Sequence, residues 1–259
     1  MGTLTSDPIR RGELTLCQPA RGYRFNVDSL ILADFAAAQD PGVAEVVIDL
    51  GAGCGIIGLL LAVRWPGSKV LLVEIQPELA ELAAQNVERN GLDGRVVASC
   101  ADLRDPGGWS GALNGLGAGR RLIATNPPFF KLGQGRPSLA PQRSVAKHEV
   151  SCALPQLLAT SQEVLEPGGG LVLIHAMARR AELLDGLQQV GFGAVVLRGV
   201  QPLPGRPCGR ILVRAIKGAP FILEELEPLL VEREPGTYSA EMRCILNEES
   251  CGGREEEMR

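Results

Sequence analysis

The residues most indicative of chemistry are Asn126-Pro127-Pro128-Phe129, which follow a short apolar stretch at 121–125. Two consecutive prolines restrict the backbone around them, so they fix the direction in which Asn126 points. The Asn126 side-chain oxygen and the Pro127 carbonyl can accept both N–H bonds of a planar amino group, such as adenine N6 or a carboxamide. These contacts favour a more pyramidal, more nucleophilic nitrogen, and Phe129 can stack on the planar substrate. We therefore predict that Asn126, Pro127 and Phe129 are catalytic.

A glycine-rich turn is the second informative feature. Directly after the apolar stretch 46–50 come four closely spaced glycines, Gly51, Gly53, Gly55 and Gly58. Glycine allows a tight turn and a close approach of the backbone to a ligand. Gly53-x-Gly55-x-x-Gly58, with Glu74 further along, also fits the fingerprint of dinucleotide binding. A nicotinamide-dependent oxidoreductase is therefore one alternative.

Asp49 favours a different cofactor, because its carboxylate stands two residues before the first glycine and would repel a pyrophosphate. Beside S-adenosylmethionine it faces no phosphate and can hydrogen-bond water or the methionine ammonium. The pattern Asp49-x-Gly51-x-Gly53-x-Gly55 resembles motif I of class I methyltransferases. On that resemblance Glu74 holds the ribose hydroxyls, and Asp102 accepts a hydrogen bond from the adenine amino group. Such a cofactor carries its own leaving group, so no metal is required.

Strands that alternate with helices must position these residues. Apolar stretches predict seven strands, at 46–50, 70–73, 96–99, 121–125, 170–174, 191–200 and 210–216. Helical patterns lie at 28–38, 57–64, 77–90, 152–165 and 181–190. This alternation predicts an α/β, Rossmann-like fold of the class I methyltransferase type: a mostly parallel seven-stranded sheet with helices on both faces. The predicted polar residues then meet at the carboxyl ends of the strands, where such sheets bind ligands.

Beyond these motifs, the chain from about Leu14 to Ile245 resembles the bacterial tRNA1(Val) adenine-37 N6-methyltransferase family. The similarity lies in the segment 22–33, in the Asn-Pro-Pro-Phe motif, in residues 146–149 and in residues 200–207. It implies methylation of an adenine N6 in a tRNA anticodon loop, so tRNA is the expected partner. The target base would be splayed out of the loop into a pocket.

The resemblance also implies the members of each binding site. The expected cofactor-binding residues are Asp28, Asp49, Gly51, Gly53, Gly55, Glu74, Asp102 and Asn126. The expected substrate-binding residues are Pro128, Phe129, Phe130, Lys131 and His148. Simpler roles compete for four of them. Asp28 can be the N-cap of a helix and Asp102 a helix cap, while Glu74 can be a solvated strand-end residue and His148 an ordinary surface residue.

Other functions remain open. Protein methylation at a glutamine amide, as in release-factor methyltransferases, uses the same Asn-Pro-Pro motif, usually with Tyr in place of Phe129. Those enzymes carry an N-terminal helical domain, whereas only a short lead-in precedes the first predicted helix here, which disfavours them. DNA or rRNA adenine is a further substrate option. A binding protein that keeps the fold without catalysis is also compatible with the fold alone.

The composition limits the remaining possibilities. A net charge of −4 argues against a strongly basic nucleic-acid binder, although a local basic groove is compatible with it. Seven cysteines without a CxxC pair, and only two histidines, predict no metal site. No apolar run reaches membrane-spanning length, so we expect a cytoplasmic protein without a membrane partner.

Three segments are expected along the chain: an irregular lead-in at 1–20, a methyltransferase domain at 21–246, and a charged, disordered tail at 247–259. Within the domain, the glycine-rich stretch 110–119 has little to bury and is expected to be mobile. The oligomeric state is left open by the sequence.

Overall fold

The structure is a computed structural model that describes residues 3–9, 12–21, 24–40, 44–127 and 154–246. The predicted substrate-binding residues lie outside the described residues: Pro128, Phe129, Phe130, Lys131 and His148. The predicted disordered tail at 247–259 also lies outside them.

The chain opens with a hairpin of two antiparallel strands, β1 (Leu4–Ile9) and β2 (Leu14–Pro19). The expectation of an irregular lead-in is therefore wrong for its described residues. Leu14 and Leu16 are fully buried in the main core. Polar residues and a proline interrupt the apolar alternation of β1, which is why the sequence gives no clear strand pattern there.

An eight-stranded sheet forms the centre of the molecule. Its strands in chain order are β3 (Val46–Leu50), β4 (Lys69–Glu74), β5 (Val96–Cys100), β6 (Arg121–Thr125), β7 (Gly170–Ala176), β8 (Phe192–Gln201), β9 (Arg210–Lys217) and β10 (Leu223–Leu230). In space the order is β10-β8-β9-β7-β6-β3-β4-β5. All neighbours run parallel except β9, which is antiparallel to both β7 and β8. The mostly parallel sheet is thus confirmed.

The predicted number of seven strands is wrong, because β10 adds an eighth strand beside β8 at the edge of the sheet. Its sequence, Leu-Glu-Glu-Leu-Glu-Pro-Leu-Leu, places only Leu229 in the core. An edge strand needs hydrogen-bond partners on one side only, so it tolerates Pro228 and several glutamates. A strand that buries so little leaves almost no apolar signal in the sequence.

Helices cover both faces of the sheet, as predicted. They are α1 (Val27–Gln39), α2 (Ile56–Arg64), α3 (Pro77–Arg89), α4 (Ser110–Gly115), α5 (Leu154–Val164) and α6 (Arg180–Gln189). One core lies between the sheet, α1–α3 and the hairpin, and the other lies between the sheet and α4–α6. After the sheet, a small hairpin of β11 (Glu232–Glu234) and β12 (Thr237–Tyr238) precedes α7 (Ala240–Leu246).

Two local expectations were wrong. The glycine-rich stretch 110–119 contains α4, and Leu113 and Leu116 are buried beside Trp109. This stretch therefore does have apolar surface to bury. The first helix is capped by Asn26 rather than by Asp28, and no side chain donates or accepts a capping hydrogen bond there. Asp28 lies in the first turn, which leaves its carboxylate available for other contacts.

Two asparagines, Asn86 in α3 and Asn90 at its C-cap, attach the hairpin to the rest of the fold. The Asn90 side chain accepts from Thr15 N–H and donates to Thr15 C=O, at 2.8 and 2.9 Å. The Asn86 side chain contacts Cys17 in the same way, at 2.8 and 2.9 Å. Asn86 also donates to the carbonyl of Cys54 in the glycine turn, at 3.0 Å. A buried amide thus joins the hairpin, α3 and the glycine turn.

Candidate active site

The glycine turn connects β3 to α2 at the carboxyl edge of the sheet. Gly55, the N-cap of α2, has a φ of 91°, a left-handed conformation that glycine adopts readily. Gly58 in the first turn of α2 packs tightly on the sheet, because a Cβ there would lie 2.2 Å from Leu72 Cδ2. A Cβ on Gly51, in contrast, would meet nothing within 4 Å. The turn therefore presents open backbone to a ligand while its helix is packed closely behind it.

Asp49 lies beneath this turn and is completely buried. Its Oδ2 accepts a hydrogen bond from Gly58 N–H at 2.9 Å, which holds the first turn of α2. Its Oδ1 has no hydrogen-bond partner among the described residues. Burial, with a smaller contribution from the nearby Glu74 charge, raises the pKa of Asp49 to about 7, although the Gly58 N–H opposes the shift. A ligand or water that donates a hydrogen bond to Oδ1 would satisfy this oxygen.

Glu74 ends β4 and faces the same turn. Its Oε2 accepts from Gly53 N–H at 2.8 Å, and its Oε1 accepts from Gln76 N–H at 2.9 Å. Burial raises the pKa of Glu74, and these backbone N–H groups act against the rise. Each carboxylate oxygen can accept more than one hydrogen bond, so both can still bind ligand hydroxyls. Glu74 thus fixes the turn and remains able to contact a ribose.

A cleft lies between the ends of β3, β4 and β5. Its lining combines two carboxylates with an apolar wall and consists of Gly51, Val73, Glu74, Ile75, Ala101, Asp102, Leu103 and Arg104. Asp102 pairs with the Arg104 guanidinium, whose Nη2 lies 2.5 Å from Oδ2. Hydrogen bonds from Arg104 lower the pKa of Asp102. An adenine amino group that binds Asp102 would therefore share this carboxylate with Arg104.

Asn126 lies at the end of β6, next to the glycine turn. The preceding Thr125 donates its hydroxyl to the carbonyl of Leu50 at 2.7 Å, which fixes the end of β6 against the end of β3. Asn126 Nδ2 donates to Ser29 Oγ in α1 at 3.4 Å. Asn126 Oδ1 accepts no hydrogen bond from any described residue, so this oxygen is the group left for a substrate N–H. Pro127, which follows, is buried.

The start of α1 is hydrogen-bonded to the first residue of β9, Arg210. Asp28 Oδ2 accepts from Asn26 Nδ2 at 3.1 Å and from Arg210 Nε at 3.3 Å. Because Ser29 follows Asp28, the same turn of α1 contacts both Asn126 and Arg210. Asp28 is therefore placed to position the site.

Most of the predicted residues meet at one edge. Six surround the glycine turn and the cleft: Asp49, Gly51, Gly53, Gly55, Glu74 and Asp102. Asn126 and Asp28 lie beside them. Three contacting residues were not predicted, namely Ser29, Arg104 and Arg210. Only Ser29 offered a signal, because it follows Asp28 in the segment that resembles the family.

Known proteins identify the fold and its cofactor. A family model described as "Methyltransferase small domain" matches residues 27–195, which is more than half of the chain. The chain belongs to this methyltransferase family. The resemblance to the bacterial tRNA1(Val) adenine-37 N6-methyltransferases is also confirmed, as the following relatives show.

Two relatives of this methyltransferase match along most of their length. A Porphyromonas gingivalis protein described as tRNA1(Val) (adenine(37)-N6)-methyltransferase is 31% identical over 233 residues, which are 86% of this chain and 87% of the relative. A Vibrio vulnificus protein with the same description is 25% identical over 242 residues, which are 92% and 93% of the two chains. The family assignment therefore rests on nearly the whole chain.

Solved structures agree with the fold. An Agrobacterium tumefaciens protein described as a predicted O-methyltransferase superposes with a TM-score of 0.65 at 23% identity, covering 85% of this chain and 95% of that one. A T. thermophilus 16S rRNA N2 G1207 methyltransferase in complex with AdoMet and guanosine gives 0.54 at 23% identity, covering 83% and 50%. At these identities the structures support the class I fold alone.

This methyltransferase uses S-adenosylmethionine as its cofactor. The residues of the cleft suit such a molecule, because Glu74 supplies acceptors for hydroxyls and apolar residues supply a wall for a base. The methyltransferase prediction is thus favoured over the nicotinamide-dependent alternative. In the described part of the chain, no three His, Cys, Asp or Glu side chains are grouped to hold a metal ion. No described helix is long and apolar enough to cross a membrane.

Proposed function

We propose that this methyltransferase methylates N6 of adenine 37 in the anticodon loop of tRNA1(Val). The observation that carries the proposal is the position of Asn126, whose carboxamide oxygen has no described partner and which follows Thr125, a residue bonded to Leu50 at the start of the glycine turn. An amide oxygen in this position is suited to an amino-group substrate. The choice of adenine 37 rests on the described activity of the relatives, one of them 31% identical.

The proposed chemistry depends on how the substrate nitrogen is held. The lone pair of adenine N6 is delocalised into the ring, so the nitrogen is a weak nucleophile. The Asn126 oxygen and the Pro127 carbonyl accept its two N–H bonds and leave its lone pair free to point at the methyl group of the cofactor. Ser29 holds the Asn126 amide by its nitrogen, which keeps the oxygen turned to the substrate. The residues thereby contribute orientation, a major source of rate enhancement in such reactions.

The cofactor is proposed to lie along the ends of β3, β4 and β5. Glu74 would hold the ribose hydroxyls and Asp102 the adenine amino group. Gly51, Gly53 and Gly55 would border the methionine part, with Asp49 below them and Asp28 beside Asn126. When bound, S-adenosylmethionine supplies a methyl group on a sulfonium, which is its own leaving group.

The substrate side of the site extends into residues outside the described ranges. Phe129 is proposed to stack on the target base. Pro128, Phe130, Lys131 and His148 remain predicted contacts. With tRNA as the substrate, a cytoplasmic location is part of the same proposal.

The deciding experiment offers the purified protein labelled S-adenosylmethionine with three substrates. These are an unmodified tRNA1(Val) transcript, the same transcript with guanine in place of adenine 37, and a panel of release factors. N6-methyladenosine in the first transcript alone is the expected result. Label at a glutamine of a release factor, with none in tRNA, would replace the proposal by protein-amide methylation.

The Asn126→Ala variant tests the assigned role in the same assay. Transfer is expected to be abolished, while the affinity for S-adenosylmethionine stays nearly unchanged because the cofactor contacts lie on neighbouring strands. Equal losses of transfer and of cofactor affinity would contradict a role for Asn126 in holding the substrate.

A further inference from the structure

A stiff loop at the edge of the sheet is not used by the site described above. It spans residues 202–209 and joins β8 to β9. Arg206 N–H donates to the carbonyl of Leu203 at 3.1 Å, and Gly205 has a φ of 73°, as the third residue of a tight turn requires. Gln201 Nε2 donates to the carbonyl of Arg206 at 2.8 Å. Prolines at 202, 204 and 207 restrict the backbone further, so the loop is pre-organised.

Arg206 is exposed at the tip of this turn. No described residue forms a side-chain hydrogen bond or an ion pair with it. The neighbouring arginines at the same edge differ in this respect: Arg179 pairs with Glu182, Arg180 with Glu225, and Arg210 with Asp28. Of these four arginines, Arg206 is therefore the one whose guanidinium is available to a negatively charged ligand.

The loop lies at the same edge of the sheet as Asn126. Strands β6, β7 and β8 all run in one direction, and Arg210 at the start of β9 is paired with Ala176 near the end of β7 and Val200 near the end of β8. Arg210 also contacts Asp28, one residue before the Ser29 that holds Asn126. A short chain of contacts thus connects the base of the loop to the catalytic asparagine.

Carboxylates pair with Arg179, Arg180 and Arg210, so Arg206 adds a positive charge that no described acidic side chain balances. The chain as a whole has a net charge of −4. Because the net charge does not favour a polyanion, local cations near the site would decide where it binds.

We infer that the loop 202–209 contacts the backbone of the RNA substrate, with Arg206 binding a phosphate beside the target adenine. This inference rests on the proposed function. A guanidinium binds phosphate through two parallel hydrogen bonds, and a pre-organised loop loses little conformational freedom on binding. Phosphate contacts fix the register of a nucleic acid without reading its sequence. Arg206 would thus place the anticodon loop over Asn126.

The test compares Arg206→Ala with Arg89→Ala, which makes the same change of charge on the opposite side of the sheet. Arg89 is exposed at the end of α3, just before β5 begins, so it lies at the amino edge. The KM for tRNA1(Val) is measured at several salt concentrations. For Arg206→Ala it should rise roughly three- to tenfold, and the slope of log KM against log salt should fall by about one.

For Arg89→Ala both quantities should equal those of the wild type. The affinity for S-adenosylmethionine should be unchanged in both variants, which excludes a loss of folding. Arg206→Lys should keep most of the salt slope, because it keeps the charge. If wild-type protein methylates tRNA and the two alanine variants behave alike, the inference is wrong and the proposed function stands. If the wild-type protein methylates no tRNA, both the inference and the proposed function are wrong.

Discussion

Replacing Glu74 separates its structural contribution from its proposed contact with the cofactor. The carboxylate is 6% exposed and accepts hydrogen bonds from the backbone N–H groups of Gly53 and Gln76. In Glu74→Ala both N–H groups lose their acceptor, the Gly53 group in a buried place and the Gln76 group in a partly buried one. In Glu74→Gln one oxygen remains, so one of them can keep it. The two variants should therefore form a graded series.

The magnitudes follow from these contacts. A buried N–H left without a partner costs about 1–3 kcal/mol, so Glu74→Ala should lower the free energy of unfolding by roughly 2–4 kcal/mol. Glu74→Gln should lose about half as much. Loss of hydrogen bonds from the ribose to a charged group should weaken S-adenosylmethionine binding by roughly 2 kcal/mol, or about 30-fold in Kd.

Urea unfolding measures the first quantity, and calorimetric titration with S-adenosylmethionine measures the second, at a temperature where each variant is folded. Glu78→Ala is the matched control, since Glu78 is an exposed carboxylate in the first turn of α3. It should leave the affinity unchanged. A Glu74→Ala protein that is destabilised but binds with wild-type affinity would show that Glu74 only supports the turn.

Three further changes test the same edge of the sheet. The pKa of Asp49 is about 7 in the folded protein and 3.8 in an unfolded chain. Its contribution to stability is therefore fully present below pH 3.8 and is lost as the pH rises from 3.8 to 7. The unfolding free energy of wild type minus Asp49→Asn should fall by a few kcal/mol between pH 4 and 8, and a constant difference would contradict the shift. Ser29→Ala should lower kcat about fivefold without changing the affinity for the cofactor, and Ser29→Thr, which keeps the hydroxyl, should restore kcat. An unchanged kcat in Ser29→Ala would show that Ser29 does not orient Asn126. Gly58→Ala should cost about 1–3 kcal/mol in thermal unfolding, since its Cβ would overlap Leu72, and an unaltered Tm would refute the close packing.

Strands β3, β4 and β6 could be predicted from the sequence because each is buried on both faces. All five residues of β3 are buried, and such a strand appears as a continuous apolar run. Parallel strands place their carboxyl ends at one edge, so Asp49, Glu74 and Asn126 could be brought together without a structure. The boundaries of β3 and β6 were predicted correctly.

The remainder could not be predicted because it depends on contacts between distant segments. β10 and β1 bury too few side chains on a regular period to be recognised. The contact of Ser29 with Asn126 joins residues 97 positions apart, and no local pattern encodes it. Likewise, the pairing of Asp102 with Arg104 is a choice of side-chain conformation that composition and spacing leave undetermined.

The spacing of Asn86 and Asn90, the two asparagines that hold β2, determines how the hairpin sits on α3. Four residues of an α-helix advance about 6 Å, and two residues of a β-strand advance about 6.6 Å. Asn86 and Asn90 are therefore spaced almost like Cys17 and Thr15, and their amides serve β2 as a neighbouring strand would. A shift of β2 by one residue would mismatch both pairs at once, so the spacing of the two asparagines fixes the register of the hairpin against α3. It also closes an edge that could otherwise accept a strand from another molecule.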